Sequence, residues 1–236
     1  MWQIIRNRIK QGYRTSRYPK EEPVFPERFR GRPIIPKSLT AVDMGKCLFN
    51  EDDKHVLSSE VFDYSNDYRM AVSKREDLIL TGSEMKLASA LNKKMRKLFG
   101  RSLKLREICA GSCGGCDLEI QALGNVVFDL SRFGIQFVAS PRHADGLMIT
   151  GPVTKNMEAA LMKTYEAVSE PKIVIVVGAC ALSGGPFIGS PEVRNGVEGL
   201  VPVDLYIPGC PPHPFTLLDG LLRLLGRLEE PARLRG

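Results

Sequence analysis

The stretch Lys172-Ile-Val-Ile-Val-Val-Gly-Ala-Cys180 places five β-branched apolar residues in a row and stops at a glycine. A strand with one wet face alternates apolar and polar residues, whereas a strand covered on both faces does not. This run therefore predicts the interior of a parallel sheet with helices on either side. Working outward, similar short runs occur near Leu103 to Ile108, Ile135 to Val138, Gly146 to Thr150 and Val203 to Ile207. Helical spacing fills the gaps near Asp117 to Ser131, Thr154 to Val168 and Pro214 to Leu228. Strand and helix in alternation predict a doubly wound, flavodoxin-like, mostly parallel α/β domain over residues 101–236. Such sheets bind ligands beyond the carboxyl ends of their strands, near the point where the strand order reverses.

The cysteines fall at that edge. Cys109, Cys113 and Cys116 follow the first strand, Cys180 follows the quoted stretch, and Cys210 follows Leu205-Tyr-Ile-Pro-Gly209. Each loop is rich in Gly or Pro, and glycine lets backbone N–H groups approach a thiolate or a bridging sulfide closely. A single thiol in such a loop reads as a small buried hydrophobe, but several at one edge predict a metal or cluster site. Zinc ribbons bring their ligands in two compact pairs. Here one Cys-x-x-Cys is joined by two single cysteines from separate loops, an arrangement that suits a [4Fe-4S] cluster better than one zinc ion. A Cys113–Cys116 dithiol remains a third reading, although it gives Cys180 and Cys210 no role.

The chain has 236 residues, 43% of them hydrophobic, enough for one good-sized core with a smaller appendage. No run approaches the ~18 apolar residues of a membrane span. The start, Met-Trp-Gln-Ile-Ile-Arg, lacks a secretory leader's apolar stretch and cleavage site, so a reducing cytoplasm without structural disulfides is expected. The net charge of +6 is uneven: residues 1–106 hold 23 Lys and Arg against 13 Asp and Glu, and the rest hold 10 against 14. A basic segment of this kind suits anionic lipid, an acidic partner or nucleic acid. No nucleic-acid signature accompanies it, and no nucleic-acid partner is expected.

Within that segment a helix is expected over the first dozen residues, with Ile4, Ile5, Ile9 and Tyr13 on one face among Arg6, Arg8, Lys10 and Arg14. Such a helix suits a membrane surface, a partner's groove or a local packing contact. Pro19, Pro23, Pro26, Pro33 and Pro36 predict an extended arm after it. Met85, Leu87, Leu91, Met95 and Leu98 predict a connector helix from Glu84 to Phe99, capped by Ser83 and ended by Gly100. Residues 1–100 thus read as a basic N-terminal extension with a connector.

Four segments carry a resemblance: Cys113 to Ile120, Arg132 to Thr154, Pro171 to Phe187 and Val201 to Leu222. Together they closely resemble the small cluster-bearing subunit shared by respiratory complex I, the 20-kDa or B subunit, and membrane-bound energy-converting [NiFe] hydrogenases. The resemblance spans about Cys109 to Leu228. It implies one [4Fe-4S] cluster held by Cys113, Cys116, Cys180 and Cys210, with Cys109 as a possible substitute for Cys113. Complex I subunits of this family have two adjacent cysteines in the first loop, whereas the hydrogenase type has Cys-x-x-Cys, as here. That favours a hydrogenase or formate-hydrogenlyase branch, with a B-type subunit of a quinone-reducing complex as the alternative. Phe25 to Ile35 and Asn66 to Leu80 resemble the flanks of the two-cluster ferredoxin subunit of the same complexes. Only Cys47 stands where its cysteine motif would be, which implies a degenerate module turned docking arm, with Cys47 a packed or surface thiol.

The resemblance implies electron transfer without substrate chemistry on this chain. The implied partners are a large Ni-Fe-type or complex I-like catalytic subunit, a ferredoxin-like subunit and membrane subunits, with the chain peripheral on the cytoplasmic side. Asp117 and Glu119 beside Cys116 read as acids favoured at a helix N-terminus, or as proton carriers. His213 reads as a loop residue or a group tuning the cluster, and His143 and Asp145 as parts of a structural loop. A zinc-stabilised nucleic-acid-binding protein and a dithiol redox enzyme are the rivals from other classes.

Overall fold

The computed structural model describes residues 2–35, 41–50, 53, 63–81 and 85–228. A five-stranded parallel sheet carries the second half of the chain. Its strands are β5 (Leu103–Cys109), β6 (Ile135–Phe137), β7 (Gly146–Thr150), β8 (Ile173–Val177) and β9 (Leu205–Ile207), in the order β6-β5-β7-β8-β9. Among the described residues, four short strands precede them. β1 (Pro33–Ile34) pairs with β3 (Asp63–Tyr64), and β2 (Val42–Asp43) with β4 (Ile79–Leu80), both antiparallel.

The continuous apolar strands are buried on both faces, as their sequence requires. All five residues of β7 and of β8 are buried. Along β8 the side chains alternate between two cores: Ile173, Ile175 and Val177 join one, Val174 and Val176 the other. The first core lies under α3 (Gly115–Ala122) and α6 (Pro214–Leu224), through Ile120, Leu217, Leu218 and Leu221. The second lies under α4 (Lys155–Ala167) and α5 (Gly178–Ser183), through Leu161, Ala181 and Leu182. The doubly wound α/β fold is thereby established. The chain leaves β5 toward β6 on one side and returns to β7 on the other. Strand order therefore reverses between β5 and β7, where Cys109 stands opposite Thr150.

Three helices differ from their sequence expectation. The connector, α2 (Lys93–Phe99), begins about nine residues later than the spacing predicts. Residues 85–92 are not helical, because Ala88 N–H donates to Ala71 O at 2.8 Å and Leu91 N–H to Leu224 O at 2.9 Å. Asn92 then caps the helix, its side chain accepting from Met95 N–H at 3.0 Å. Ser83 and Glu84 lie outside the described residues. Helix α3 stops at Ala122 instead of near Ser131, since the Asn125 side chain accepts from Val127 and Phe128 N–H and turns the chain away. Helix α6 ends at Leu224, just before Gly226 in the left-handed region, rather than at Leu228.

The expected first helix is present as α1 (Trp2–Gln11). After it, the basic half is fastened across the sheet. Tyr18, Tyr68, Ala71, Ala88 and Phe99 enter the first core, and Met44, Met70, Val72, Leu78 and Leu80 the second. Val72 bridges Tyr206 antiparallel, with N···O distances of 3.0 and 2.9 Å, beside the edge strand β9. Ser183 of α5 donates to Gly45 O at 2.8 Å, and Tyr18 donates to the buried Asp219 of α6 at 3.0 Å.

Candidate functional site

Four cysteines meet above the carboxyl ends of β5, β8 and β9. Cys113 lies in the loop after β5, Cys116 in the first turn of α3, Cys180 in α5, and Cys210 in the loop after β9. Helix α5, which sequence spacing missed, is six residues long and buried throughout. Ala179 N–H donates to Gly209 O at 2.9 Å, tying the Cys180 helix to the Cys210 loop. A Cβ placed on Gly115 would stand 3.6 Å from Cys113 Sγ and 3.7 Å from Pro211, so the first and last loops touch there.

Burial raises the Cys116 thiol most, and the Cys180, Cys210 and Cys113 thiols raise it further. Cys180 is pushed up to about 12 by burial, then by Cys210 and Cys113. Burial and Cys113 together raise Cys210. Every pair among the four is therefore close enough to interact electrostatically. Burial and mutual repulsion keep these thiols protonated unless a positive charge among them offsets both, as a bound metal group would.

The space around the sulfurs is kept by glycine. Gly178 has φ +87°, and a Cβ there would collide with Cys116 Sγ. Gly185 has φ +53°, and its Cβ would stand 2.8 Å from Cys180 Sγ. Both conformations suit glycine and strain any other residue. Thiolate donors from three loops around a glycine-lined space fit the chemistry of a cubane cluster. Among the described residues, no group of three His, Cys, Asp or Glu side chains is arranged to hold a single metal ion.

Cys109 is the last residue of β5 and turns elsewhere. Its Sγ lies 3.0 Å from Ser112 Oγ, and it hydrogen-bonds the Asp117 carboxyl. Cys47 is fully buried, its thiol raised by burial and then by Asp53 and Asp43. It packs with Val42 and is coupled to none of the four.

Two carboxyls flank the loop of Cys113. Asp117 accepts from Thr150 Oγ1 at 2.5 Å and Ser112 Oγ at 2.8 Å. Burial lifts its pKa, but these hydrogen bonds outweigh burial and leave it below the ordinary carboxylate range. Glu107, half-buried on β5, is pushed up to about 7 by burial and by Asp117. Sequence reasoning missed Glu107 because it occupies an ordinary strand position. Its period-2 place, pointing the same way as Cys109, was the available signal. Burial also raises Glu119 and lowers His213, whose Nδ1 accepts from Phe215 N–H at 3.1 Å and so caps α6. His143 and Asp145 lie at the opposite, amino-terminal end of β7, where Asp145 accepts from Lys104 N–H at 2.7 Å. Glu119, Cys210 and His213 share a cavity of about 320 Å3 with Arg28 and Phe29 of the basic arm. Among the described residues, no helix is long and apolar enough to cross a membrane.

Comparison with known proteins places this geometry in a family. The family described as "NADH ubiquinone oxidoreductase, 20 Kd subunit" matches residues 113–224, from the first of the four cysteines to the end of α6. The probable membrane-bound hydrogenase subunit mbhJ of Pyrococcus furiosus is 42% identical over 57% of this chain and 80% of its own length. The B subunit of the NADH-quinone oxidoreductase of Carboxydothermus hydrogenoformans is 46% identical over 49% of this chain and 70% of its own. Among solved structures, a chain of the archaeal membrane-bound sulfane sulfur reductase superposes with a TM-score of 0.50 at 32% identity. That match covers 58% of this chain and 75% of the other. These relatives are subunits of oxidoreductase complexes, and the chain belongs to the family of the NADH ubiquinone oxidoreductase 20 Kd subunit.

Proposed function

We propose that this chain is the electron-transfer subunit of a membrane-associated, energy-converting [NiFe] hydrogenase complex of the formate-hydrogenlyase kind. In this reading Cys113, Cys116, Cys180 and Cys210 hold one [4Fe-4S] cluster, and Cys109 is not a ligand. The observation that carries it is the convergence of four thiols from three loops at the carboxyl edge of the sheet, close enough to raise one another. When bound, the group supplies reversible one-electron transfer between a donor and a large-subunit Ni-Fe site.

The chain's own residues set the conditions for that role. Cys116 and Cys180 are buried, so the protein side of the site is dry. Cys113 is exposed and Cys210 partly so, which leaves one side open to a partner subunit. Gly178 and Gly185 admit the sulfurs to close packing. The Ser112, Thr150 and Asp117 hydrogen bonds fix the loop that carries Cys113. Residues 1–100 act as a basic docking arm and connector, and 101–236 as the cluster-binding α/β domain. The subunit sits peripherally on the cytoplasmic side, with a ferredoxin-like subunit and membrane subunits as further partners. The Cys-x-x-Cys spacing favours the hydrogenase kind. The alternative, a B-type subunit of a quinone-reducing complex, is supported by the 46% identity to such a protein. Terminal cysteine pairs able to hold Ni-Fe in the co-purifying large subunit decide between them.

The test is anaerobic purification, with the partner subunit if needed, followed by iron, sulfide and zinc determination and EPR after reduction. About four irons and four sulfides per chain are expected. They should be lost in Cys180→Ser and Cys210→Ser and kept in Cys109→Ser and Cys47→Ser. Stoichiometric zinc without sulfide, under conditions that load known clusters, would overturn the proposal.

A further inference from the structure

Helix α1 lies outside both cores. None of its residues is buried; Trp2, Ile5 and Ile9 on one face are 82%, 46% and 74% exposed, while Ile4, expected on that face, stands beyond Arg8 on the opposite one. Contiguous large apolar side chains left in water mark a surface that meets something. Trp2, Ile5 and Ile9 stand at i, i+3 and i+7 and form one stripe along the helix. At about 100° per residue, Arg6 and Lys10 border this stripe on one side and Arg8 on the other. The first twenty residues are rich in Lys and Arg and hold no Asp or Glu.

The chain just beyond α1 is fastened to the body. The Arg132 guanidinium donates to Ser16 O at 2.6 Å and Tyr18 O at 2.9 Å, and Ser16 N–H donates to Val127 O at 2.8 Å. Val126 and Val127, at that anchor, are 52% and 40% exposed and add to the apolar surface there. The helix is thus tethered to the molecule through Ser16, five residues past its end, and has no core of its own to join.

A narrow apolar stripe bordered on both sides by cations, with no acid present, matches a helix lying in the plane of anionic headgroups. There the stripe enters the acyl boundary, the long cationic side chains reach back to phosphate, and a tryptophan sits at the interface. A protein groove would have to desolvate and pair those cations on two opposite flanks, which is costly. We infer that α1 is an interfacial anchor that binds the surface of an anionic lipid bilayer. This rests on the helix alone and not on the identity of the cluster or the complex.

Trp2 is the only tryptophan, so its fluorescence reports this helix directly. The full chain is mixed with vesicles of phosphatidylcholine alone, or with about 30% phosphatidylglycerol. A blue shift and co-sedimentation are expected with the anionic vesicles, weakening as salt rises. The double variant Ile5→Glu/Ile9→Glu touches no core residue and should keep its circular dichroism while binding at least about tenfold more weakly. An unshifted emission on anionic vesicles would sink the proposal, as would binding that ignores lipid charge or the variant. In the assembled, detergent-free complex, Trp2 emission already blue and shielded from acrylamide before lipid is added would assign the helix to a protein partner instead. Because no readout uses iron, failure here leaves the electron-transfer proposal standing, and loss of that proposal leaves this one.

Discussion

At Gly178 the backbone turns from β8 into α5 with φ +87°, directly against the Cys116 sulfur. Gly114, at the start of α3, has nearly the same φ, +86°, but nothing within 4 Å of its missing Cβ. The pair separates backbone strain from crowding of the site. Gly178→Ala should cost about 1–3 kcal/mol and displace a sulfur, so iron retained per chain should fall. Gly114→Ala should cost about 1 kcal/mol and keep the iron. Denaturant titration and iron determination on both variants check this, and equal iron loss would show that strain alone governs the loops. Glu107 gives a second handle, because its carboxyl binds a proton more tightly folded, at about 7, than at its ordinary value of 4.5. Such a group contributes stability below the ordinary value and loses it as pH rises through about 7. The metal-free chain should therefore lose stability between pH 5 and pH 8, and Glu107→Gln should flatten that slope. Partial exposure of Glu107 limits the effect to about 1 kcal/mol. A slope unchanged in the variant would assign it to other groups.

Among the elements, the five strands stand where their apolar runs predict, because burial on both faces demands residues that no other element uses in that way. Helix lengths were less legible. Leu91, Met95 and Leu98 keep helical spacing, yet the N–H groups of Ala88 and Leu91 are claimed by carbonyls distant in sequence, and no local period reports that. The site was legible as an edge, since its cysteines follow strand ends. That Cys109 turns toward Ser112 while Cys113 joins the others depends on the pleat and on one hydroxyl, which spacing does not encode. The fastening of the arm was likewise invisible, being made by Arg132 from a part of the chain more than a hundred residues away. Arg132→Ala should leave the sheet intact but free the arm. Trypsin should then cut at Arg14 or Arg17 about tenfold faster, with global stability changed by less than about 1 kcal/mol. An unchanged cleavage rate would mean that Tyr18 and its bond to Asp219 hold the arm without Arg132.

For the molecule as a whole, the two cores meet across one sheet, and of the four site cysteines only Cys116 belongs to either. Residues of the basic half enter both cores, so the arm contributes to the body it crosses. In small metal-folded domains the ligands replace a core, and removing the metal unfolds the chain. Here the ligands crown a sheet whose strands are already buried. The site is then a passenger on a self-sufficient scaffold, and metal binding and folding should separate. The quadruple variant with Cys113, Cys116, Cys180 and Cys210 all changed to Ser should keep its far-UV circular dichroism and unfold in a single cooperative transition. It should lose all iron and sulfide, and its denaturation midpoint should no longer depend on whether iron is supplied. The buried serines at positions 116 and 180 are each expected to cost about 1–3 kcal/mol, so the variant with only Cys113 and Cys210 replaced serves as the milder control. If both variants were instead molten, binding a dye for exposed apolar surface and lacking a cooperative transition, the loops would be part of the core and the scaffold would depend on its cluster.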